Sequence, residues 1–85
     1  MNLKIFTQDN CPNCPPAKEI GKQLEDEGFK ISYHDIRSLE GLSEATFHDV
    51  MATPSMVIVD DDDKEVHSWR SDVPSLDEVK AKLAD

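Results

Sequence analysis

The chain has 85 residues, 38% hydrophobic and 32% charged, with 18 Asp and Glu against 9 Lys and Arg and a formal charge of −9. That length allows one modest core and not two, and that composition favours a globular domain over disorder. The acidic balance argues against nucleic acid and anionic membrane partners and suits either plain solubility or a basic patch on a protein partner. The longest apolar run, Met56 to Val59, is far short of a membrane span.

In chain order, Asn2–Thr7 reads as a strand. Gln8 to Pro16 reads as a loop running into a helix, on which Ala17, Ile20 and Leu24 form an apolar stripe and Gly28 is the stop. Lys30–Asp35 alternates as a second strand, with Ile31 and Tyr33 on one face. The three elements form a βαβ unit with a right-handed crossover and parallel strands. Leu39 to His48 is expected to be a helix capped by Ser38, with Leu39, Leu42 and Ala45 sharing a face and Gly41 weakening the first turn.

Ser55–Val59 is continuously apolar and reads as a central buried strand. Asp60 to Asp63 forms a solvated turn without calcium-hand spacing, and Glu65–Arg70 returns antiparallel. Ser75 and Glu78 sit in a capping-box arrangement before Leu76, Val79 and Leu83. The expectation is a single α/β domain over residues 1–85: β-α-β-α-β-β-α, a four-stranded mixed sheet with helices on both faces. Tyr33 and the three phenylalanines read as core, the three histidines as surface, and Trp69 as a residue of sheet packing.

Both cysteines lie in Cys11-Pro12-Asn13-Cys14, followed by Pro15 and Pro16. A CxxC at the mouth of a helix after the first strand of a βαβ unit is a redox signature. The helix N-terminus favours a thiolate, so an exposed Cys11 can attack a disulfide and a more buried Cys14 can release the product. Pro12 and Asn13 tune the couple. Pro15 and Pro16 lack N–H groups, which predicts regular helical hydrogen bonding only past Pro16 and leaves carbonyls near Cys11 for water or a partner. Asp9 opposes a thiolate and Lys18 supports one if it folds back. No signal peptide is visible, which points to a reducing cytosol, where these thiols matter through chemistry rather than as a structural bridge.

Thr53-Pro54 precedes the buried strand, and on composition alone its peptide is expected to be trans. CPNC after the first strand, Thr53-Pro54 before the third and the element order together resemble the thioredoxin-fold family, in its small glutaredoxin-like and thioredoxin-like members, over essentially the whole chain. The resemblance implies that Cys11 is the nucleophile, Cys14 the resolving thiol and Pro54 a cis-proline against the CxxC. It also implies that Thr53 offers its backbone to the substrate, beside Pro12 and Asn13. Thioredoxins usually carry Trp before the first cysteine and Gly-Pro between the two; here Asn10 and Pro12-Asn13 stand there. Glutaredoxins usually carry Pro-Tyr there and a Gly-Gly with acids before the last helix, where this chain has Arg70-Ser71-Asp72-Val73-Pro74. Weak binding of anionic glutathione follows.

The expected function is therefore a cytoplasmic, monomeric dithiol donor to a disulfide-containing client protein, needing no cofactor or metal. Ribonucleotide reductase is one client that the resemblance suggests, and a thioredoxin-reductase-like protein is the electron source. The alternatives are a glutathione-dependent glutaredoxin and a thioredoxin-fold adaptor whose CxxC holds zinc or an iron–sulfur cluster shared between two chains, or merely packs.

Overall fold

A computed structural model describes residues 1–84; the expected domain's last residue, Asp85, lies outside them. The elements are β1 (Asn2–Thr7), α1 (Cys14–Asp26), β2 (Lys30–Asp35), α2 (Leu39–Phe47), β3 (Ser55–Val59), β4 (Glu65–Arg70) and α3 (Leu76–Leu83). The sheet order is β2-β1-β3-β4; β1 runs parallel to β2 and antiparallel to β3, and β3 runs antiparallel to β4. The order of elements along the chain, β-α-β-α-β-β-α, is the one expected from the sequence.

Alternation along β1 builds the two cores. Leu3 and Ile5 face one side, where α1 and α3 cover them with Ala17, Leu24, Val79 and Leu83, and where Trp69 packs. Phe6 faces the other side with Val57 and Val59, beneath Ala45 of α2. The helices thus lie on both faces. The capping box on α3 is complete: Ser75 Oγ accepts from the Glu78 N–H and the Glu78 carboxylate accepts from the Ser75 N–H. Ser75→Ala is expected to cost about 1 kcal/mol, lowering Tm by roughly 4–8 °C in a calorimetric scan. An unchanged Tm would show that the exposed N-terminus of α3 is satisfied by water instead.

Several side chains are placed differently from expectation. The buried face of α2 is Gly41 and Ala45, while Leu39, Leu42 and Phe47 point outward. The cause is close approach: a Cβ on Gly41 would sit 1.8 Å from the Asp35 carbonyl oxygen, so α2 lies too near β2's end for large residues. Phe47, two positions past Ala45, falls on the opposite side of the helix. Tyr33 is also outside the core, because β2 is an edge strand; burial of the phenol, together with the Glu25 carboxylate near it, raises its pKa to about 12. The histidines are less exposed than expected. His48 is buried, and the half-buried His34 stacks on Phe6 with ring centroids 5.2 Å apart.

Asp63 is not simply solvated. It turns back at φ 64° and its carboxylate pairs with Lys4 Nζ at 2.8 Å. Lys4, a buried lysine on β1, also donates to Glu44 and, at 3.1 Å, to Nε2 of His48. Glu44, His48 and Asp63 offer ligand atoms within 4.8 Å of one another. Their shared cation is this ammonium.

Candidate active site

β1 carries the chain to the end of the sheet where β3 begins, with Phe6 paired to Ser55. Two segments therefore meet at one sheet end: the loop after Thr7 and the step before Ser55. Asn10 reverses the first of them in the left-handed region at φ 59°, a conformation that Asn tolerates better than most residues. Asn10 was not among the expected site residues, although Asp-Asn is itself a turn signal.

Helix α1 starts at Cys14, earlier than the prolines suggested. Pro15 and Pro16 lie in its first turn, with Asn13 as N-cap, where an N–H would have had no intrahelical acceptor. Their missing donors therefore leave the helix intact. The Cys11 carbonyl is not left for a partner either, since it accepts from the Cys14 N–H at 3.3 Å.

Cys11 and Cys14 are joined as a disulfide with Cα atoms 5.3 Å apart. Their exposures differ: Cys11 is half-buried, whereas Cys14 is 2% exposed. An open pocket of about 500 Å³ at the disulfide is lined by Asp9, Asn10, Cys11, Pro12, Cys14 and Lys18, among others. Pro12 and Asn13 are both exposed. The first turn of α1 contains no acidic residue, while α2 has Glu40 there and α3 has Asp77 and Glu78. The partial positive charge of the α1 N-terminus is thus uncompensated by its own first turn, at the place where a thiolate would form.

Across from this loop, the Thr53–Pro54 peptide is cis, against the composition-based expectation of trans and in line with the resemblance. Pro54 is buried and Thr53 half-buried. Among the described residues the Thr53 N–H and C=O take part in no backbone hydrogen bond, and its buried Oγ1 has no partner. The site residues named from the sequence thus fall on two adjoining segments, Cys11 to Cys14 on one and Thr53-Pro54 on the other. Thr53 and Pro54 are outside the lining of the pocket at the disulfide.

A β-α-β-α-β-β-α domain with a disulfide-forming CxxC opening its first helix has the fold of thioredoxins and the cysteine pair of a thiol–disulfide oxidoreductase. The model of the thioredoxin domain matches residues 1–84. A probable thioredoxin of Archaeoglobus fulgidus is 36% identical over 59 residues, covering 68% of this chain and 65% of that protein. A thioredoxin of Methanocaldococcus jannaschii is 30% identical over 61 residues, covering 68% of this chain and 69% of its own. Among solved structures, a thioredoxin-like protein from Clostridium perfringens superposes with a TM-score of 0.83 at 17% identity, over 98% of this chain and 68% of that one. Thioredoxin 1 of Thermosipho africanus does so with a TM-score of 0.70 at 23% identity, over 99% and 91%. These structural likenesses speak to the fold. The chain belongs to the thioredoxin family.

Proposed function

We propose that the chain acts, as one domain, as a dithiol electron carrier that reduces disulfides of client proteins. The Cys11 thiolate attacks a client disulfide, forming a mixed disulfide and expelling one client thiolate. Cys14 loses its proton and attacks the Cys11 sulfur, which releases the second client thiolate and closes the Cys11–Cys14 disulfide. The client gains two electrons and two protons, and the carrier loses them. Thr53 and Pro54 line the path of the client chain, Thr53 through its peptide groups, with Pro12 and Asn13 on the opposite side.

One observation carries this reading: the disulfide joins a partly exposed Cys11 to a buried Cys14 at a helix N-terminus without acidic residues in its first turn. A thioredoxin-reductase-like protein would restore the dithiol, and a ribonucleotide reductase is a suitable client. The carrier would act as a monomer in the cytosol; among the described residues no helix is long and apolar enough to cross a membrane.

Equilibration with graded dithiol buffers, followed by alkylation of free thiols, tests the direction of electron flow. A two-electron transition near about −270 mV is expected for a reducing donor. A transition near about −200 mV or above would move the assignment to a glutathione-linked or oxidising role. No reversible transition would end the redox reading.

A further inference from the structure

β3 is buried throughout, and it opens on a hydroxyl: Ser55 is 0% exposed. A buried hydroxyl is costly unless it is paired. Ser55 Oγ donates to the Ala52 carbonyl oxygen at 2.6 Å and accepts, more weakly, from the Ser71 N–H at 3.4 Å. Ala52 belongs to the three residues, Met51 to Thr53, that lead into Pro54. Met51 and Ala52 are exposed and Thr53 is half-buried. Among the described residues, the bond from Ser55 is the single hydrogen bond that these three make. The chain just before them is fastened separately. Arg70, which pairs with Ser55 across β3 and β4, donates to the carbonyls of His48 at 2.7 Å and Asp49 at 3.5 Å, and the Val50 N–H donates to Ala45. Beyond them Pro54 is buried. The segment is thus held at both ends, and the Ser55 hydroxyl holds its middle.

We propose that Ser55 is a positioning residue of the carrier: by fixing the Ala52 carbonyl, its hydroxyl keeps the Thr53 N–H aimed at the incoming client chain. The inference rests on the dithiol-carrier reading and deepens it, because it names what prepares the client site before the client arrives. The geometry follows from peptide planarity. The Ala52 C=O and the Thr53 N–H belong to one trans peptide unit, in which the two groups point in opposite directions. A carbonyl drawn down to a buried hydroxyl therefore turns the N–H away from it, toward the surface. That N–H has no backbone partner among the described residues. Without the hydroxyl the Ala52–Thr53 peptide is free to rotate, and a client must order it on binding. Ordering one backbone residue lowers affinity by about 5- to 30-fold. A hydroxyl that only satisfied its own burial would leave client affinity untouched.

The test is steady-state reduction of insulin disulfides with a dithiol reductant. In Ser55→Ala, KM for insulin should rise by about 5- to 30-fold while kcat stays within about twofold. Ser55→Thr keeps the hydroxyl and should match wild type. An unchanged KM in Ser55→Ala, a fall in kcat alone, or an equal rise of KM in Ser55→Thr would overturn the proposal. So would an equal loss with hydroxyethyl disulfide, which is too small to need the Thr53 peptide and reports the chemistry at Cys11. Backbone 15N relaxation of wild type tests the same point without a variant. The Ala52 and Thr53 amides should be as ordered as the strands, with order parameters near about 0.85, and values below about 0.6 would show that the hydroxyl does not hold the segment. Wild type that turned over hydroxyethyl disulfide and not insulin would overturn client docking and the role of Ser55, leaving the thiol chemistry in place. Turnover of neither would remove the carrier reading and this inference with it.

Discussion

Cys11→Ser is expected to reduce insulin-disulfide turnover by at least about 10³-fold, to the rate of the dithiol reductant alone, because a serine hydroxyl is not a thiolate at neutral pH. Cys14 cannot take over the role. It is 2% exposed, and a client sulfur must approach in line with the attacked S–S bond. Cys14→Ser should behave differently, since Cys11 still attacks but nothing displaces the client from it. The covalent adduct should persist on a non-reducing gel, disappear with excess dithiol and map by mass spectrometry to Cys11. The contrast between one dead variant and one trapping variant is the signature of an ordered nucleophile and resolving thiol. Full turnover by Cys11→Ser, or an adduct through another atom, would remove the mechanism. An alternative in which the CxxC merely packs predicts neither loss nor trapping.

The site's two segments were legible because their signals are local. CxxC spacing and a Thr-Pro step before an apolar run are both visible in the linear chain, whereas the prolines after Cys14 point to a later start for a helix that in fact begins at Cys14. The central place of β3 was legible as well, since it is apolar from Met56 to Val59. What local pattern could not supply was how closely elements approach. The apolar residues Leu39, Leu42 and Ala45 marked one face of α2, yet the helix passes so near Asp35 at Gly41 that it buries Gly41 and Ala45 instead of the leucines. Of the face that looked like core, Ala45 is buried and Leu39 and Leu42 are left outside. The histidines show the same gap from the other direction. His48 is polar and terminal in its helix, but α2 is held so near the sheet that its ring lies beside Phe6, at a centroid separation of 6.3 Å. The cis state of Pro54 came from the family resemblance and not from composition, because a single X–Pro step does not encode its isomer.

Lys4 is the residue whose burial no sequence pattern announced, and its removal should have a large effect on stability. On the pKa of Lys4, burial acts downward, and the hydrogen bonds and charges of Asp63 and Glu44 outweigh it, so the net shift is upward. The Lys4 hydrogen bond in turn lowers Asp63. Burial, then the positive charge of Lys4, lowers His48, and burial is the main cause lowering His34. The contribution of Lys4 is complete below its unfolded pKa of 10.5 and fades as pH rises through the higher folded value. That of Asp63 is present above 3.8 and fades in acid. The histidines, with folded values below 6.5, cost stability as pH falls past 6.5, because the unfolded chain takes up protons that the fold resists. Wild type should therefore be most stable between about pH 7 and 10.

Lys4→Met keeps much of the side-chain stem and removes the charge. Glu44 and Asp63 then face each other without their cation, at a cost of about 2 kcal/mol near pH 8, below the value for a fully buried pair because both carboxylates are partly exposed. Below about pH 6 the cost should fall to under about 1 kcal/mol, because His48, freed from the neighbouring ammonium, takes up a proton between the two carboxylates and replaces it. Urea unfolding of wild type and variant at about pH 8 and pH 5.5 measures both differences. A difference that stays equal at the two pH values would show that His48 does not substitute for the lysine. A cost of Lys4→Met that shrinks at about pH 5.5, and no longer shrinks when both proteins also carry His48→Gln, would place the exchange of cations on that imidazole.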